Sequence, residues 1–299
     1  MPALPAARRS AGAFALRLGS EGSTDVTMLA GQVKGGSIYA DVISETGPEP
    51  VEKKRLGPTM YENWTLPVGL IMSKELFEWL VASWGPHPPE RDGAVLGLDY
   101  ELAVKTQAGF TASLITETSF PTLDAASKEV GHVTIRVQPA AIQLMAGSGK
   151  VSLYGVKQKL WRLSNFRLEI EGLDCTHVSR IESFTVRREV EIEPQETGPP
   201  NLVPGRVEFP NLRITLAQAW AETWYDWHKQ FVVDGHNEEG FERDGALSFL
   251  STDLKAELSR IELHHLGIVR LAPAEEQPML VTAELYCEEM ALVQPGGGP

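Results

Sequence analysis

The feature that most constrains this chain is that it repeats itself. Glu90-Arg91-Asp92-Gly93-Ala94 recurs as Glu242-Arg243-Asp244-Gly245-Ala246, 152 residues later. Glu45-Thr46-Gly47-Pro48 recurs as Glu196-Thr197-Gly198-Pro199 at an offset of 151, and Phe77-Glu78-Trp79 is matched by Tyr225-Asp226-Trp227 at 148. Val133-Thr134 matches Val281-Thr282, again at 148. Four matches in the same order, with offsets that drift by a few residues, mark a duplicated unit carrying small loop insertions. The 299 residues suit two units of roughly 100–150 residues each. Ala146-Gly147-Ser148-Gly149-Lys150 is a small-residue stretch suited to a flexible linker. The expected division is a first domain with an N-terminal arm over 1–147, a linker over 148–160, and a second domain over 161–299.

Hydrophobic periodicity sketches each unit. In the second, Phe166–Glu171 alternates apolar and charged residues, and Phe184–Ile192 is β-branched and largely alternating, the period of half-buried strands. A Gly/Pro-rich break over Glu196–Gly205 separates these from a single strand expected over Arg206–Leu216. A helix is expected over Ala217–Val233, with Trp220, Trp224, Trp227 and Phe231 on one face as its core anchors. Gly235 is its stop. Ala246–Leu250, Arg260–Leu266 and Met279–Leu292 read as further strands. The first unit gives the same order. Phe14–Leu18 and Ile38–Ile43 are strands, a loop spans Glu45–Pro58, and Asn63–Ile71 is a strand. Ser73 caps a helix that runs to Trp84, with Leu76, Phe77, Leu80 and Val81 as its apolar stripe. Strands over Ala94–Val104, Thr111–Thr116 and His132–Leu144 follow. The fold class is therefore α+β, mainly β: two similar domains, each an antiparallel sheet or barrel with a long hairpin and one packed helix.

Composition excludes several classes. With 42% hydrophobic and 22% charged residues the chain can bury a core. No apolar run approaches the roughly 18–20 residues that span a bilayer, so membrane insertion is not expected. Met1–Ser20 carries Arg8 and Arg9 before an apolar patch that Arg17 interrupts, which reads as a flexible or interface-forming arm rather than a signal peptide. Cys175 and Cys287 make no disulfide framework and suit folding in a reducing cytoplasm. The net charge of −13 is uneven: residues up to Leu160 hold 15 Lys+Arg against 16 Asp+Glu, leaving 12 against 24 for the rest. Such a surface repels phosphate backbones, so specific nucleic-acid binding is not expected, although a conduit for acidic cargo is compatible with it.

The chemistry-bearing residues assemble no catalytic signature. His264-His265 is adjacent in a strand, so the two rings point to opposite faces. His228, His236, Glu238 and Glu239 cluster at a helix end without the spacing of a standard metal site. Gly147-Ser148-Gly149-Lys150 lacks the leading glycine and the trailing Ser/Thr of a phosphate loop, since Leu144 and Val151 stand there. Glu90 and Asp92 could serve a hydrolase as an acid pair, yet Glu-Arg-Asp-Gly occurs in both units at a turn into a strand, which favours a structural role. No catalytic, cofactor-binding or metal-binding residue is expected.

The second unit resembles the tail-tube protein family of contractile-tailed phages and bacterial injection particles. The resemblance rests on Phe166–Leu173, on Pro204-Gly205-Arg206 leading into Leu212–Leu216, on the Trp224–Trp227 helix, and on Ile268–Ala272 with Pro273. It spans most of 160–293. In the first unit Trp64-Thr65-Leu66 and the Phe77/Trp79 helix carry it. The resemblance implies rings in which a long hairpin from every subunit joins its neighbours in one closed barrel around a lumen, with rings stacking through loops and arms. Such closure removes unpaired strand edges. The lumen hairpins would be Ile38–Ile71 and Phe184–Leu216. The ring-to-ring loops would carry Glu45, Pro48, Lys53 and Arg55 in the first unit and Glu196, Pro199, Pro204 and Arg206 in the second. The partners implied are further copies of the chain, as trimer or hexamer rings, and other tail tube, sheath or baseplate proteins. A fused pair departs from the single-domain pattern and suits a pseudo-six-fold ring of three chains, the logic of a hub or adaptor; six chains is the other geometry. A duplicated, non-catalytic β-module that binds protein or carbohydrate is the alternative reading.

Overall fold

A computed structural model describes residues 13–19, 28–30, 32–46, 52–70, 72–151, 161–195, 197–274 and 277–294. In the N-terminal half these form β1 (Ala13–Leu18), β2 (Met28–Ala30), β3 (Ile38–Thr46), β4 (Glu52–Tyr61), β5 (Trp64–Val68), α1 (Lys74–Ser83), β6 (Arg91–Leu98), β7 (Val104–Phe120), β8 (Leu123–Asp124), β9 (Val133–Gln138) and β10 (Ala141–Ala146). The C-terminal half adds β11 (Phe166–Ile170), β12 (Val178–Ile181), β13 (Phe184–Glu193), β14 (Asn201–Glu208), β15 (Leu212–Ala217), α2 (Glu222–His228), β16 (Arg243–Leu250), β17 (Glu257–Ala274) and β18 (Gln277–Val293). The protein is mainly β, with antiparallel sheets.

The strands do not sort by half. One sheet runs β14-β13-β7-β6-β1-β2, with β9 and β10 along the other side of β7 and β5 beside β9. Its first two strands, β14 and β13, therefore come from the C-terminal half. The second sheet runs β11-β16-β17-β18-β15-β12-β8, and its terminal strand comes from the N-terminal half. Among the described residues the hairpin β3–β4 pairs only with itself. One core cluster threads both halves, from Leu16 and Trp79 to Trp224 and Leu285.

The strand expected over Ala94–Val104 divides into the end of β6 and the start of β7, and four further expected boundaries shift for a local reason. The loop placed over Glu45–Pro58 is mostly strand: β3 and β4 pair down to Thr46↔Glu52, and 47–51 lie outside the described residues. The break placed over Glu196–Gly205 likewise closes at Asn201, because Pro204 and Gly205 sit at a bulge inside the β13–β14 ladder. The strand placed over Arg206–Leu216 is two, parted at Phe209-Pro210-Asn211, where proline offers no backbone donor. Pro139 divides β9 from β10 in the same way, whereas β18, with no proline at the matching place, runs unbroken.

The two helices pack by tryptophan. Ser73 Oγ accepts the Leu76 N–H at 3.2 Å, capping α1, and Leu76, Trp79 and Leu80 face inward while Phe77 is half-buried and Val81 exposed. The Trp79 indole donates to the Pro89 carbonyl at 3.0 Å, which lets so large a polar-tipped ring be buried. The expected single helix over Ala217–Val233 is instead a 3₁₀ turn (Gln218–Trp220), then α2, then a π turn (Lys229–Val233). The change of pitch puts Trp220 out of phase: it is 50% exposed and stacks on His177, so it is not a core anchor, and Ala221 takes the inward position. Trp224, Trp227 and Phe231 are buried. The segment after β10, expected to be a free linker, is tied down as far as Val151. The Gly147 N–H donates to the Lys105 carbonyl, and the Val151 N–H to the Leu102 carbonyl. Residues 152–160 lie outside those described.

Candidate assembly interface

Two strand pairings join the halves: β12 on β8, over two rungs, and the longer joint, in which β13 lies along β7. Four rungs form it: Phe184↔Phe120, Thr185↔Ser119, Val186↔Thr118 and Arg187↔Glu117. β6 occupies the same side of β7 only as far as Ser113, so β13 continues the sheet where β6 stops. The Phe184 and Phe120 rings stack at 4.9 Å, the Thr185 and Ser119 hydroxyls bond at 2.9 Å, and Arg187 reaches Glu117 at 3.8 Å. Val186 is 2% exposed.

Arg188 locks this joint. Its guanidinium donates to the carbonyls of Ser83 (3.0 Å) and Gly85 at the end of α1 and to that of Gly205 (2.5 Å) on β14. The residue is 7% exposed, and burial pulls its pKa below the usual guanidinium value. A planar fork satisfied by three carbonyls ties the helix of one half to the hairpin of the other.

The hairpin β3–β4 has the build of β13–β14. Both ladders shift register at one matched point, between Ala40 and Val42 and between Arg188 and Val190. Each carries a glycine opposite that point. A Cβ on Gly57 would lie 3.4 Å from the Asp41 carbonyl oxygen, and one on Gly205 would lie 3.3 Å from that of Glu189. The offset is 148 in both strands. What differs is the company: among the described residues β3–β4 has no sheet beside it, and Ile38, Tyr39, Val42, Ile43 and Leu56 are exposed. Where the hairpin enters the body, Gly36 faces the Trp64 indole so closely that a Cβ would meet the ring at 2.0 Å. At an offset of 148 these positions are Phe184 and Leu212, so the large and small residues exchange places.

The second sheet has a free rim. β16 follows β17 only to the rung Arg243↔Leu266, while β18 follows its other side to Ala274. Among the described residues no strand pairs with the β16-facing side of Gly267–Ala274. Val269, Arg270 and Pro273 are exposed there.

The expected ring-to-ring residues scatter over the hairpins. Glu45 and Lys53 form a rung of β3–β4, Arg55 pairs with Ile43 on β4, and Pro204 pairs with Val190 on β14. Arg206 sits on β14 with ion pairs to Glu189 (3.4 Å) and Glu208 (3.0 Å). Pro199 is in the β13–β14 turn. Pro48 and Glu196 lie outside the described residues. Hence most of this set belongs to strands rather than loops.

The polar clusters resolve differently from their sequence spacing. Asp92 Oδ1 accepts the Ala112 N–H at 2.9 Å and Asp244 Oδ1 accepts the His265 N–H at 3.1 Å, so these acids hold backbone. The His264 ring meets Asp244 (3.2 Å) and the His265 ring meets Glu242 (3.0 Å). His265, Glu242 and Glu288 bring one imidazole and two carboxylates within 4.8 Å of one another, with the Tyr286 hydroxyl donating to Glu242 at 2.5 Å. Sequence spacing missed this group because its members are far apart in the chain: Glu242 lies just before β16, His265 on β17 and Glu288 on β18. His236, Glu238 and Glu239 form no such group among the described residues. No helix among the described residues is long and apolar enough to cross a membrane.

The architecture places the chain among mainly antiparallel β proteins with strand-exchanged halves. No protein-family model and no curated protein matches it. Solved structures do. The chain is similar to one from the sheath–tube complex of a PVC extracellular contractile injection system in its extended state, at 19% identity and a TM-score of 0.38, over 44% of this chain and 88% of that one. It is similar to one from the tube-terminating cap of the anti-feeding prophage, at 19% identity and a TM-score of 0.40, over 49% and 95%. A chain of that prophage's baseplate matches at 15% identity and a TM-score of 0.37, over 44% and 93%.

Proposed function

We propose that this chain is a non-enzymatic structural component of a contractile tail or injection particle, forming part of an inner tube, hub or tube–baseplate adaptor by ring assembly around a lumen. The observation that carries the reading is the β13–β7 joint, in which a hairpin from one half completes the sheet of the other. Two repeated units joined edge to edge leave one free hairpin and one free rim, and a contact of that kind propagates from copy to copy until rotation closes it. The units would be 1–147 and 161–299, joined through 148–160. Three chains would supply six units, and six chains would supply twelve. The partners would be further copies and tube, sheath or baseplate proteins, met after assembly in a reducing cytoplasm, to which two unpaired cysteines are suited.

Negative-stain microscopy of the purified full-length chain tests this. Discrete rings or stacked tubes are expected, three-fold for a hub or adaptor and six-fold for a tube. Monodisperse monomer by light scattering at every concentration would sink it.

A further inference from the structure

The joint inside the chain specifies the joint between chains. From the geometry we infer that hairpin β3–β4 of one copy adds antiparallel to the free rim of β17 in a second copy, in the register Ser37↔Ala272, Ile38↔Leu271, Tyr39↔Arg270. This deepens the ring reading and rests on it.

The register follows from two offsets measured in the fold. The hairpins superpose at 148, as their shared register shift and bulge glycines show. β7 and β17 superpose at 153 along this stretch: Gly93 pairs with Phe110 as Gly245 pairs with Leu263, and the left-handed residues Ala112 (φ 45°) and His265 (φ 55°) correspond. On the far side Ser119 pairs with Thr134 as Ala272 pairs with Thr282. Carrying the rungs Thr185↔Ser119, Val186↔Thr118 and Arg187↔Glu117 through these offsets gives the three proposed rungs. The next would be Gly36↔Pro273, where proline brings no donor and the ladder stops.

The side chains suit this occupant. Ile38 is 40% exposed, whereas Val186, its counterpart, is 2% exposed because β7 covers it. Leu271 stands opposite as a second apolar residue, partly buried at its inner side. Tyr39 and Arg270, both exposed, replace the Arg187–Glu117 ion pair with a cation and an aromatic face. The inner joint adds an ion pair to its apolar contacts where the outer one would set an aromatic face against a cation; exchanging the hairpins would put Arg187 against Arg270.

Oxidative cross-linking tests the register. Full-length Ile38→Cys and Leu271→Cys variants are mixed under a mild oxidant, and Tyr39→Cys with Arg270→Cys likewise. In an antiparallel ladder one of two adjacent rungs is a non-hydrogen-bonded pair with close Cβ atoms, so at least one mixture yields a disulfide-linked dimer. Ile38→Cys with Arg270→Cys, on opposite faces, yields none. Rings by microscopy without either in-register product overturn the register while leaving the ring reading intact. Absence of both rings and products overturns the ring reading itself. As a second measurement, Ile38→Asp should shift the chain from ring to monomer in light scattering, and an unchanged oligomer would count against the joint.

Discussion

Asp92 holds Ala112 in a left-handed backbone conformation. Its carboxylate accepts the Ala112 N–H at 2.9 Å, and Ala112 stands at φ 45°, where an L side chain crowds its own carbonyl. Asp244 and His265 repeat the arrangement at 3.1 Å and φ 55°. The Asp of each Glu-Arg-Asp-Gly thus secures a bulge that lets the long strand turn from one neighbour to the next. That is why the motif recurs.

Asp92→Ala should cost about 1 kcal/mol, the net worth of one hydrogen bond, and Asp244→Ala a similar amount. Thermal denaturation would show a fall of roughly 2–4 °C for each kcal/mol. If both variants melt with wild type, the carboxylates do not hold the bulge.

Trp224→Ala should destabilise by roughly 3–5 kcal/mol, since the ring is fully buried and its indole donates to the Asp174 carbonyl at 2.9 Å. Trp220→Ala should cost less than about 1 kcal/mol, because half of its surface already meets solvent. Equilibrium urea unfolding separates the two.

Arg188→Ala removes the guanidinium from three carbonyls and should cost about 3 kcal/mol, and Arg188→Lys should not restore it, because an ammonium cannot reproduce the fork. Hydrogen exchange over 184–208 is the readout. Unchanged protection there would show that the clamp does not hold the hairpin down.

Two titrations pull in opposite directions. The hydrogen bond to Glu242 raises the His265 pKa above its usual 6.5, so this pair's contribution to stability is full below that value and declines as pH rises through the raised one. Asp244 is held below the usual carboxylate value, first by the His265 N–H, and its contribution is present above that value and fades as pH falls through the lowered one. Nuclear magnetic resonance titration of Glu242→Gln should return His265 toward 6.5.

Burial pushes the Cys175 thiol up to about 11 and the Cys287 thiol up to about 12. Both should resist alkylation at neutral pH in the folded protein and react promptly in denaturant. Fast labelling of either in native protein would contradict the packing around it.

Much of the strand order was legible because alternation such as Phe166–Ile170 reports directly on a half-buried face. The Ser73 cap was legible for the same kind of local reason. Trp220 was not, since a wheel of constant pitch cannot anticipate a 3₁₀ turn before α2 and a π turn after it. Strand pairing reaches further into both expected hairpin loops than glycine and proline suggest, because these residues mark bulges as well as loops, and only the partner strand distinguishes them. The joint itself left no local trace. Phe184 alternates like any strand residue, and nothing near it in sequence says that its neighbour is Phe120 from the other half.

The exchange of strands between halves also has a consequence for synthesis. The rim of β7 is made early, yet its partner β13 begins at Phe184, 64 residues after Phe120. Until that segment emerges, a growing chain carries an uncovered strand edge that any nascent neighbour on the same messenger could fill with its own hairpin. Slow translation across 121–183 would therefore favour tangled pairs of chains, and rapid passage through it would favour self-closure.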